Sequence, residues 1–271
     1  MNAHAAILNR VHVEQWGGKG PRVVMIHGGT QGTSSAGHRN FHMQEALGAE
    51  GWQMLVPDRP GHGLSPNPGR PDDAEADGEW TAELLSDGAH LLGHSYGGLV
   101  ALAALARRPE AVRSIVLVEP ALLKVATKAP AVRKLLFTMA RTMILPYRPE
   151  TKAKRVMKLL GIPDVFALEK DDHDSLGRSL KAGKFPSKKT MNAWLAVVRE
   201  RQIPLLTVSA GSNAAFDATC AIVAEKGGGR HEIVPMPHHF PQWSPEIFNP
   251  LLDRFWREAE DPVAIQSRPL A

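Results

Sequence analysis

The chain contains 271 residues, of which 43% are hydrophobic and 22% are charged. This apolar content is sufficient for the core of one large domain and excludes a wholly disordered protein. No stretch approaches the ~18 uncharged apolar residues of a membrane span, and residues 1–10 lack the pattern of a secretory signal peptide. The one cysteine, Cys220, excludes an internal disulfide and a cysteine zinc cluster. We therefore expect a cytoplasmic protein without a membrane span.

The net charge of +4 is unevenly distributed along the chain. Residues 121–202 contain 18 Lys or Arg and 7 Asp or Glu, a net charge of +11, whereas the other residues contain 14 basic and 21 acidic groups, a net charge of −7. A nucleic acid or an anionic substrate would explain such a basic segment, but it carries no nucleic-acid-binding motif. Solvated lysines and arginines on helix surfaces are the simpler interpretation, so we expect no nucleic-acid partner.

Residues 1–120 alternate short apolar runs with turns that are rich in glycine and proline. The runs have no polar face, which is typical of strands buried on both sides in a parallel sheet. They are Arg22–Ile26, Met54–Val56, Ala89–Leu92 and Ser114–Val118. Residues 99–106 are strong helix formers and predict a helix, whereas the acidic residues 72–79 predict a surface loop.

The next part of the chain, residues 121–202, contains no convincing strand pattern, and its prolines and glycines divide it into short helical segments. From residue 203 the first pattern returns. The elements predicted there are strands at 203–208 and 231–234 and helices at 214–226 and 250–260. Strands that alternate with helices indicate a doubly wound α/β sheet. We therefore predict an α/β core formed by residues 1–120 and 203–271, with a helical insert at 121–202.

The sharpest local signal is Gly93-His94-Ser95-Tyr96-Gly97, a G-x-S-x-G motif between a predicted strand and a predicted helix. A tight turn here forces Ser95 into a strained backbone conformation and presents its hydroxyl above the edge of the sheet. Side chains two positions to either side would clash, which explains Gly93 and Gly97. The amino end of the following helix favours developing negative charge. The motif therefore predicts Ser95 as a nucleophile.

With this motif and three further landmarks, the sequence resembles the α/β-hydrolase family. The landmarks are His27-Gly28-Gly29, Asp58-Arg-Pro-Gly-His-Gly-Leu-Ser65 and His238-His-Phe-Pro241. The resemblance implies an α/β-hydrolase fold with a sheet of about eight strands, and residues 121–202 stand where the family has its cap, or lid. It also implies an oxyanion hole formed by the backbone amides of Gly29 and Tyr96, with Thr30 as a second choice to Gly29.

The chain contains 12 histidines, and a general base must reach Ser95 from a loop beyond the last strand. His238 and His239 lie on such a loop. The family's ending is a small residue followed by His, Phe and Pro, which matches His239-Phe240-Pro241, so the resemblance implies His239 as the base. His238 stands where the family usually has glycine, and we expect it to pack or hydrogen-bond nearby.

The acidic member of a triad is less clearly marked. The family usually places Asp after the strand at 203–208, but this chain has Asn213 in that region, which is not anionic. Glu119 stands at the carboxyl end of the preceding strand, where some branches of the family carry their acid, and a buried anion there would orient His239. Asp217, about one turn into a predicted helix, is a rival, and a site without an acid is a third reading. We favour Glu119, an arrangement similar to the branch that contains the zearalenone-type lactonases.

These residues predict a serine hydrolase that cleaves a carboxylic ester or lactone through an acyl-enzyme, with Ser95, His239 and Glu119 as its triad. The expected partner is a small ester or lactone, no cofactor or metal is required, and a homo-oligomer is left open. The enzymatic alternative is a carbon–carbon bond hydrolase or a lyase with the same triad. The alternative from another class is a non-catalytic homologue that binds a small ligand. Apolar residues of the insert predict mostly packing, and a minority would line an acyl pocket.

Overall fold

The computed structural model describes residues 11–29, 31, 35–162 and 180–261. The strands within them are β1 Val13–Trp16, β2 Arg22–Ile26, β3 Gln53–Pro57, β4 Ala89–His94, β5 Val112–Val118, β6 Leu205–Ser209 and β7 Arg230–Ile233. They form one sheet of seven strands in the order β1-β3-β2-β4-β5-β6-β7. Strand β1 is antiparallel to β3, and every other neighbouring pair is parallel. The prediction of a doubly wound, mostly parallel sheet is confirmed, with seven described strands where the resemblance implied about eight.

The α-helices of the described residues are α1 Gly37–Phe41, α2 Ala74–Leu84, α3 Tyr96–Arg107, α4 Pro130–Ile144, α5 Pro149–Leu160, α6 Lys188–Glu200, α7 Ala214–Gly227 and α8 Pro245–Glu260. Short 3₁₀ helices occupy His42–Gly48, Pro109–Ala111, Leu123–Ala126 and Pro241–Trp243. The predicted helix at 99–106 is the central part of α3, and the one predicted at 250–260 begins earlier, at Pro245. In the part of the chain that the structure describes, no helix is both long and apolar enough to cross a membrane.

The prediction of a surface loop at 72–79 is wrong, because most of this acidic stretch is the first half of α2. Asp73 is the residue before the helix, and its side chain accepts hydrogen bonds from the amides of Glu75 and Ala76, both at 3.2 Å. Short acidic side chains stabilise the amino end of a helix in this way. Asp77 is buried inside the helix, where it pairs with arginine side chains. The prediction of a surface loop missed both the helix cap at Asp73 and the buried ion pairs of Asp77.

The central strands are buried on both faces, and alternate residues enter two different apolar clusters. On one face, residues such as Ile26, Leu91 and Ile115 pack against α2, α3 and α6. On the other face, residues such as Met25 and Val116 pack against α8. This alternation follows from the two-residue period of a strand. Helix α3 is buried from Tyr96 to Leu105, so it is a rigid support behind the turn that precedes it.

The helices between β5 and β6 occupy different environments. Helix α6 packs through Met191, Trp194, Leu195 and Val198 into the main core. Helix α4 packs through Val132 and Leu135 against the start of α7. Helix α5 contributes Ala153 and Met157 to a small separate cluster. The helices α4 and α5 therefore lie beyond the carboxyl edge of the sheet, over the region where the predicted site residues stand.

Candidate active site

Ser95 occupies the turn between β4 and α3 with φ 53° and ψ −116°, a conformation that L-residues rarely adopt. A Cβ on Gly93 would lie 2.5 Å from the carbonyl oxygen of Gly97. A Cβ on Gly97 would lie 2.1 Å from the carbonyl oxygen of Ile26. Glycine is therefore required at both positions by close backbone approach, as the G-x-S-x-G motif predicts. The strained turn is held by a hydrogen bond of 2.9 Å from the Ser95 amide to the carbonyl of Val118.

Glu119 follows β5 directly and is fully buried, with φ 39°. Its amide donates to the carbonyl of Val208 at 2.8 Å, which ties it to the neighbouring strand β6. Its Oε1 accepts a hydrogen bond of 2.8 Å from the amide of Ala210, and its Oε2 accepts one from Nδ1 of His239. A buried carboxylate needs such donors to offset its lost hydration. Both oxygens therefore have partners, and one partner is the predicted base.

His239 lies on the loop after β7, with its ring almost completely buried. Its amide donates to the carbonyl of Gly161 at 3.0 Å, and its ring packs against Phe216 with a centroid separation of 4.5 Å. The Glu119 carboxylate can only accept a hydrogen bond. Nδ1 of His239 is therefore the nitrogen that carries the proton, and Nε2 offers a lone pair. Within the described residues Nε2 has no hydrogen-bond partner, the Ser95 hydroxyl included. Both His239 and Ser95 line the same cavity. Catalytic hydrogen bonds are often long or poorly aligned until a substrate binds.

Two further buried histidines support these loops. His94 donates from Nε2 to the carbonyl of His239 at 2.9 Å. Burial holds the pKa of His94 well below its ordinary value, and the neighbouring His239 lowers that pKa further, so the His94 ring stays neutral. Burial likewise holds the pKa of His27 well below its ordinary value. His27 accepts a 2.9 Å hydrogen bond from the Arg59 amide at Nε2, so its Nδ1 is the donor to the carbonyl of Gly28.

The predicted oxyanion residues Gly29 and Tyr96 both border the cavity beside Ser95. Gly29 has φ 87°, a backbone conformation that favours glycine. A Cβ on its neighbour Gly28 would lie 2.8 Å from Cβ of Ser95. The backbone of this loop therefore lies too close to Ser95 for any side chain at position 28. The phenol of Tyr96 donates to the carbonyl of Lys184 at 2.9 Å, and burial raises its pKa above the ordinary range, which keeps that donor proton in place.

Sequence reasoning missed a buried arginine that ties these parts together. The guanidinium of Arg59 is inaccessible to solvent and donates to Asp72 at 2.7 Å, to Asp77 at 3.1 Å and to the carbonyl of Gly29 at 2.8 Å. It also stands 4.7 Å from the centre of the Tyr96 ring. Arg59 therefore positions the loop of one predicted oxyanion residue and the side chain of the other. The sequence feature that could have revealed this network is Arg59 itself, within the 58–65 landmark. Its partners Asp72 and Asp77, however, lie in the stretch predicted as a surface loop.

The cavity has a volume of about 320 Å³. The sheet edge provides Ser95, His239 and Gly29, and the helices beyond it provide an apolar wall. That wall is formed by Leu136, Met139, Val156, Met157, Leu160 and Ile162. A site of this size with few polar groups suits a small or medium-sized apolar ligand. In the described residues no cluster of His, Cys, Asp and Glu is arranged to hold a metal ion.

The alternative candidates stand elsewhere. Asp217 does not border the cavity, and its carboxylate accepts a 3.2 Å hydrogen bond from the amide of Gly211. Asn213 caps helix α7 by accepting from the Ala215 amide. The ring of His238 packs edge-to-face against Trp243, at a centroid separation of 5.4 Å. The other candidate for the oxyanion hole, Thr30, lies outside the described residues.

The fold and the sequence identify the family. A family model described as the alpha/beta hydrolase fold matches residues 21–162, more than half of the chain. The chain therefore belongs to the α/β-hydrolase family. It is 32% identical over 173 residues to the lipase LipV of Mycobacterium tuberculosis, a match that spans 60% of this chain and 61% of the lipase. It is 34% identical over 116 residues to a proline iminopeptidase of Clostridium botulinum, 40% of this chain and 38% of the peptidase. The chain thus covers less than two thirds of the length of these curated relatives.

Solved structures of the family superpose over nearly the whole chain. A meta-cleavage product hydrolase, CumD, has a TM-score of 0.67 with 17% identity over 92% of this chain and 94% of the other. Est816, described as an N-acyl homoserine lactone degrading enzyme, has a TM-score of 0.61 with 18% identity over 90% of this chain and 96% of the other. At such identities the similarity shows the fold, and the chemistry has to be argued from the site.

Proposed function

We propose that this protein is a serine hydrolase that cleaves a carboxylic ester or a lactone through an acyl-enzyme. The observation that carries the proposal is the buried Glu119–His239 pair, whose free Nε2 belongs to the same cavity as Ser95 at its strained turn. A carboxylate, an imidazole and a hydroxyl in this order are the parts of a nucleophilic triad.

The proposed reaction follows from these groups. The Ser95 oxygen attacks the carbonyl carbon while Nε2 of His239 takes the hydroxyl proton, and Glu119 stabilises the imidazolium that forms. The amides of Gly29 and Tyr96 donate to the oxygen that becomes negatively charged. When the tetrahedral intermediate collapses, the carbon–oxygen bond to the leaving alcohol breaks and His239 returns the proton to that oxygen. Water, deprotonated by His239, then attacks the acyl-enzyme and releases the acid and Ser95.

Several observations support an ester or lactone as the substrate. The cavity wall beyond the sheet is apolar, which suits an acyl or alkyl chain. The relatives include a lipase, and the fold neighbours include an enzyme that degrades N-acyl homoserine lactones. The acid after β5 and the absence of one after β6 also resemble the zearalenone-type lactonase branch, and this supports a lactone of moderate size.

The second candidate reaction is hydrolysis of a carbon–carbon bond or a lyase reaction by the same triad. The similarity of the fold to a meta-cleavage product hydrolase favours it. Asn213 counts against it, because the usual enzyme of that kind carries Asp in the turn after β6. A non-catalytic ligand-binding homologue is the third candidate, and the intact Ser95 and His239 count against that reading.

We also propose that residues 121–202 act as the cap of the core formed by 1–120 and 203–271. Helices α4 and α5 would then shape the substrate cavity, whereas α6 packs with the core. The buried, unpaired Cys220 is compatible with the cytoplasm as the proposed compartment. The proposal requires no cofactor and leaves a homo-oligomer open.

A fluorophosphonate probe tests the proposal directly. We expect the probe to label the protein at one serine, and peptide mass spectrometry to locate the label at Ser95. Ser95→Ala should remove the label while circular dichroism shows an unchanged fold. The same preparation should hydrolyse members of a panel of p-nitrophenyl esters and lactones of increasing size. A folded protein that is neither labelled nor active on the panel would favour the ligand-binding homologue instead.

A further inference from the structure

Asn40 is a buried polar residue in the wall of the catalytic cavity. It lies in α1, and only 6% of its surface is exposed. Its amide nitrogen donates to the carbonyl of Ala36 at 3.1 Å, and its own carbonyl accepts from the indole of Trp243 at 3.2 Å. Its side-chain Oδ1 accepts from Nε2 of Gln242 at 3.0 Å. The backbone and one end of the side chain are therefore held firmly.

The other end of this side chain is unused. Within the described residues, Nδ2 of Asn40 donates to no acceptor. In the structure Oδ1 of Asn40 faces Nε2 of Gln242, so Oδ1 is the end of the side-chain amide that is held by the protein. Nδ2 is consequently the end left to the cavity that Asn40 lines. A polar atom that borders a cavity and has no acceptor within the protein is available to hydrogen-bond a ligand there.

Other polar side chains of the cavity already have partners. The Tyr96 phenol donates to the carbonyl of Lys184, and Nζ of Lys124 donates to the carbonyl of Pro186 at 3.1 Å. His94 donates to the carbonyl of His239. Ser35 and Arg39 also border the cavity, and neither lacks a partner. Ser95 and Nε2 of His239 belong to the proposed chemistry. Asn40 thus borders the cavity with a donor that has no acceptor in the described residues, and it lies outside the reacting groups.

Building on the proposed function, we infer that Asn40 recognises a second oxygen of the substrate. The preferred substrate is then an ester or lactone that carries a carbonyl, ether or hydroxyl oxygen in addition to the group that is cleaved. Nδ2 donates a hydrogen bond to that oxygen, while the apolar wall receives the hydrocarbon part. A polar group in an otherwise apolar pocket orients a ligand and selects against analogues that leave it unpaired. Asn40 would therefore determine specificity and take no part in the proton transfers.

The test compares substrates and variants in one cycle. The substrates are p-nitrophenyl hexanoate and three analogues with a keto oxygen at C3, C4 or C5 of the acyl chain. The variant is Asn40→Asp, which has almost the same shape and keeps an oxygen for Gln242 but loses the donor. For at least one keto ester, the ratio of its kcat/KM to that of the plain ester should fall roughly tenfold in the variant, the value of one neutral hydrogen bond.

A general loss of activity cancels in this ratio, because both kcat/KM values are measured on the same preparation. Asn192→Asp, the same change on α6 outside the cavity, should leave all ratios unchanged; there Nδ2 donates only to the carbonyl of Lys188. If Asn40→Asp does not fold, Asn40→Ala provides the same ratio. Unchanged ratios for all three keto esters in the Asn40 variants would overturn the inference. A rise of these ratios in Asn40→Asp would overturn it as well, because a carboxylate cannot donate a hydrogen bond to a keto oxygen. An enzyme inactive on every ester would instead contradict the proposed function itself.

Discussion

The two sides of the cavity are built on different principles. On the sheet side, Glu119, His239, His94 and Arg59 are buried polar groups held by hydrogen bonds to backbone and to one another. On the side of α4 and α5, the wall consists of aliphatic and thioether side chains. Hydrogen bonds fix atoms within a few tenths of an ångström, whereas flexible apolar side chains such as methionine adapt to different shapes. The sheet side is therefore suited to fixed chemistry, and the helical side to variable substrate shape.

The largest effect is expected on the sheet side, at the acid. Glu119→Ala should lower kcat/KM on the best ester by on the order of 10³ or more, because the imidazole loses both its orientation and its counter-charge. Asp217→Ala is the matched control, since Asp217 is the rival acid and its carboxylate accepts a hydrogen bond from the amide of Gly211, away from the cavity. Initial rates of both purified variants provide the measurement.

Two outcomes would break this assignment. A larger loss in Asp217→Ala than in Glu119→Ala would make Asp217 the acid. Nearly equal, small losses in two folded variants would mean that His239 works without an acid. Because Glu119 is fully buried, circular dichroism and a thermal melt of each variant must accompany the rates.

The next largest effect concerns the buried network beneath the oxyanion loop. Arg59→Met should lower the free energy of unfolding by about 3 kcal/mol, because Asp72 and Asp77 would lose a buried counter-charge. Arg107→Met removes an arginine whose ion pair with Glu79 is exposed, and the expected loss there is below about 1 kcal/mol. Urea unfolding of both variants gives the comparison. Equal losses of unfolding free energy in the two variants would show that the buried Arg59 network stabilises the fold no more than the exposed ion pair of Arg107.

The sheet was the most predictable part of the molecule. Strands β2 to β6 each contain a short apolar run, which is typical of strands buried on both faces. Strand β1 was not predicted, because Val13–Trp16 is an edge strand with only Trp16 buried and a mixed sequence. The turn at Ser95 could be predicted because its geometry requires glycine at both positions 93 and 97. Short sequence patterns therefore identify those elements whose structure depends on residues close together in the chain.

Long-range charge pairing was the part that sequence could not supply. Arg59 belongs to the 58–65 landmark, but its partners Asp72 and Asp77 lie in the stretch predicted as a surface loop, since nothing in a string of acidic residues tells a buried carboxylate from an exposed one. The choice of Glu119 over Asp217 rested on its place at the carboxyl end of a predicted strand, where some branches of the family carry their acid, whereas Asp217 stands about one turn into a predicted helix. The structure brings Glu119 and His239 together, and their catalytic roles remain predictions.

A smaller effect is expected on the helical side of the cavity. Leu136 lines the cavity from α4, whereas the next residue, Phe137, points outward and is 70% exposed. Leu136→Trp should fill part of the apolar wall and lower kcat/KM for long-chain esters roughly tenfold relative to acetate esters, as one or two displaced methylenes would. Phe137→Trp is the matched control and should leave the chain-length profile unchanged. An unchanged profile in Leu136→Trp would mean that the acyl chain does not lie along α4.

The smallest effect is the pH dependence of stability, and it belongs to the sheet side. Burial holds the pKa values of His27 and His94 well below the ordinary 6.5, so each is neutral when folded and takes up a proton on unfolding below pH 6.5. Their contribution is fully present above pH 6.5 and is lost as the pH falls, by on the order of 1 kcal/mol per histidine at pH 5.5. The carboxylates whose pKa is lowered, such as Asp253, have ordinary values near 3.8 and act at lower pH. Burial also lowers the pKa of His231 and His238, which add to the loss. Urea unfolding at pH 7.5 and 5.5 should therefore show a loss that is smaller by on the order of 1 kcal/mol in His94→Gln, which keeps a donor for the carbonyl of His239. An identical loss in this variant would mean that protonation of the buried histidines is not what destabilises the fold.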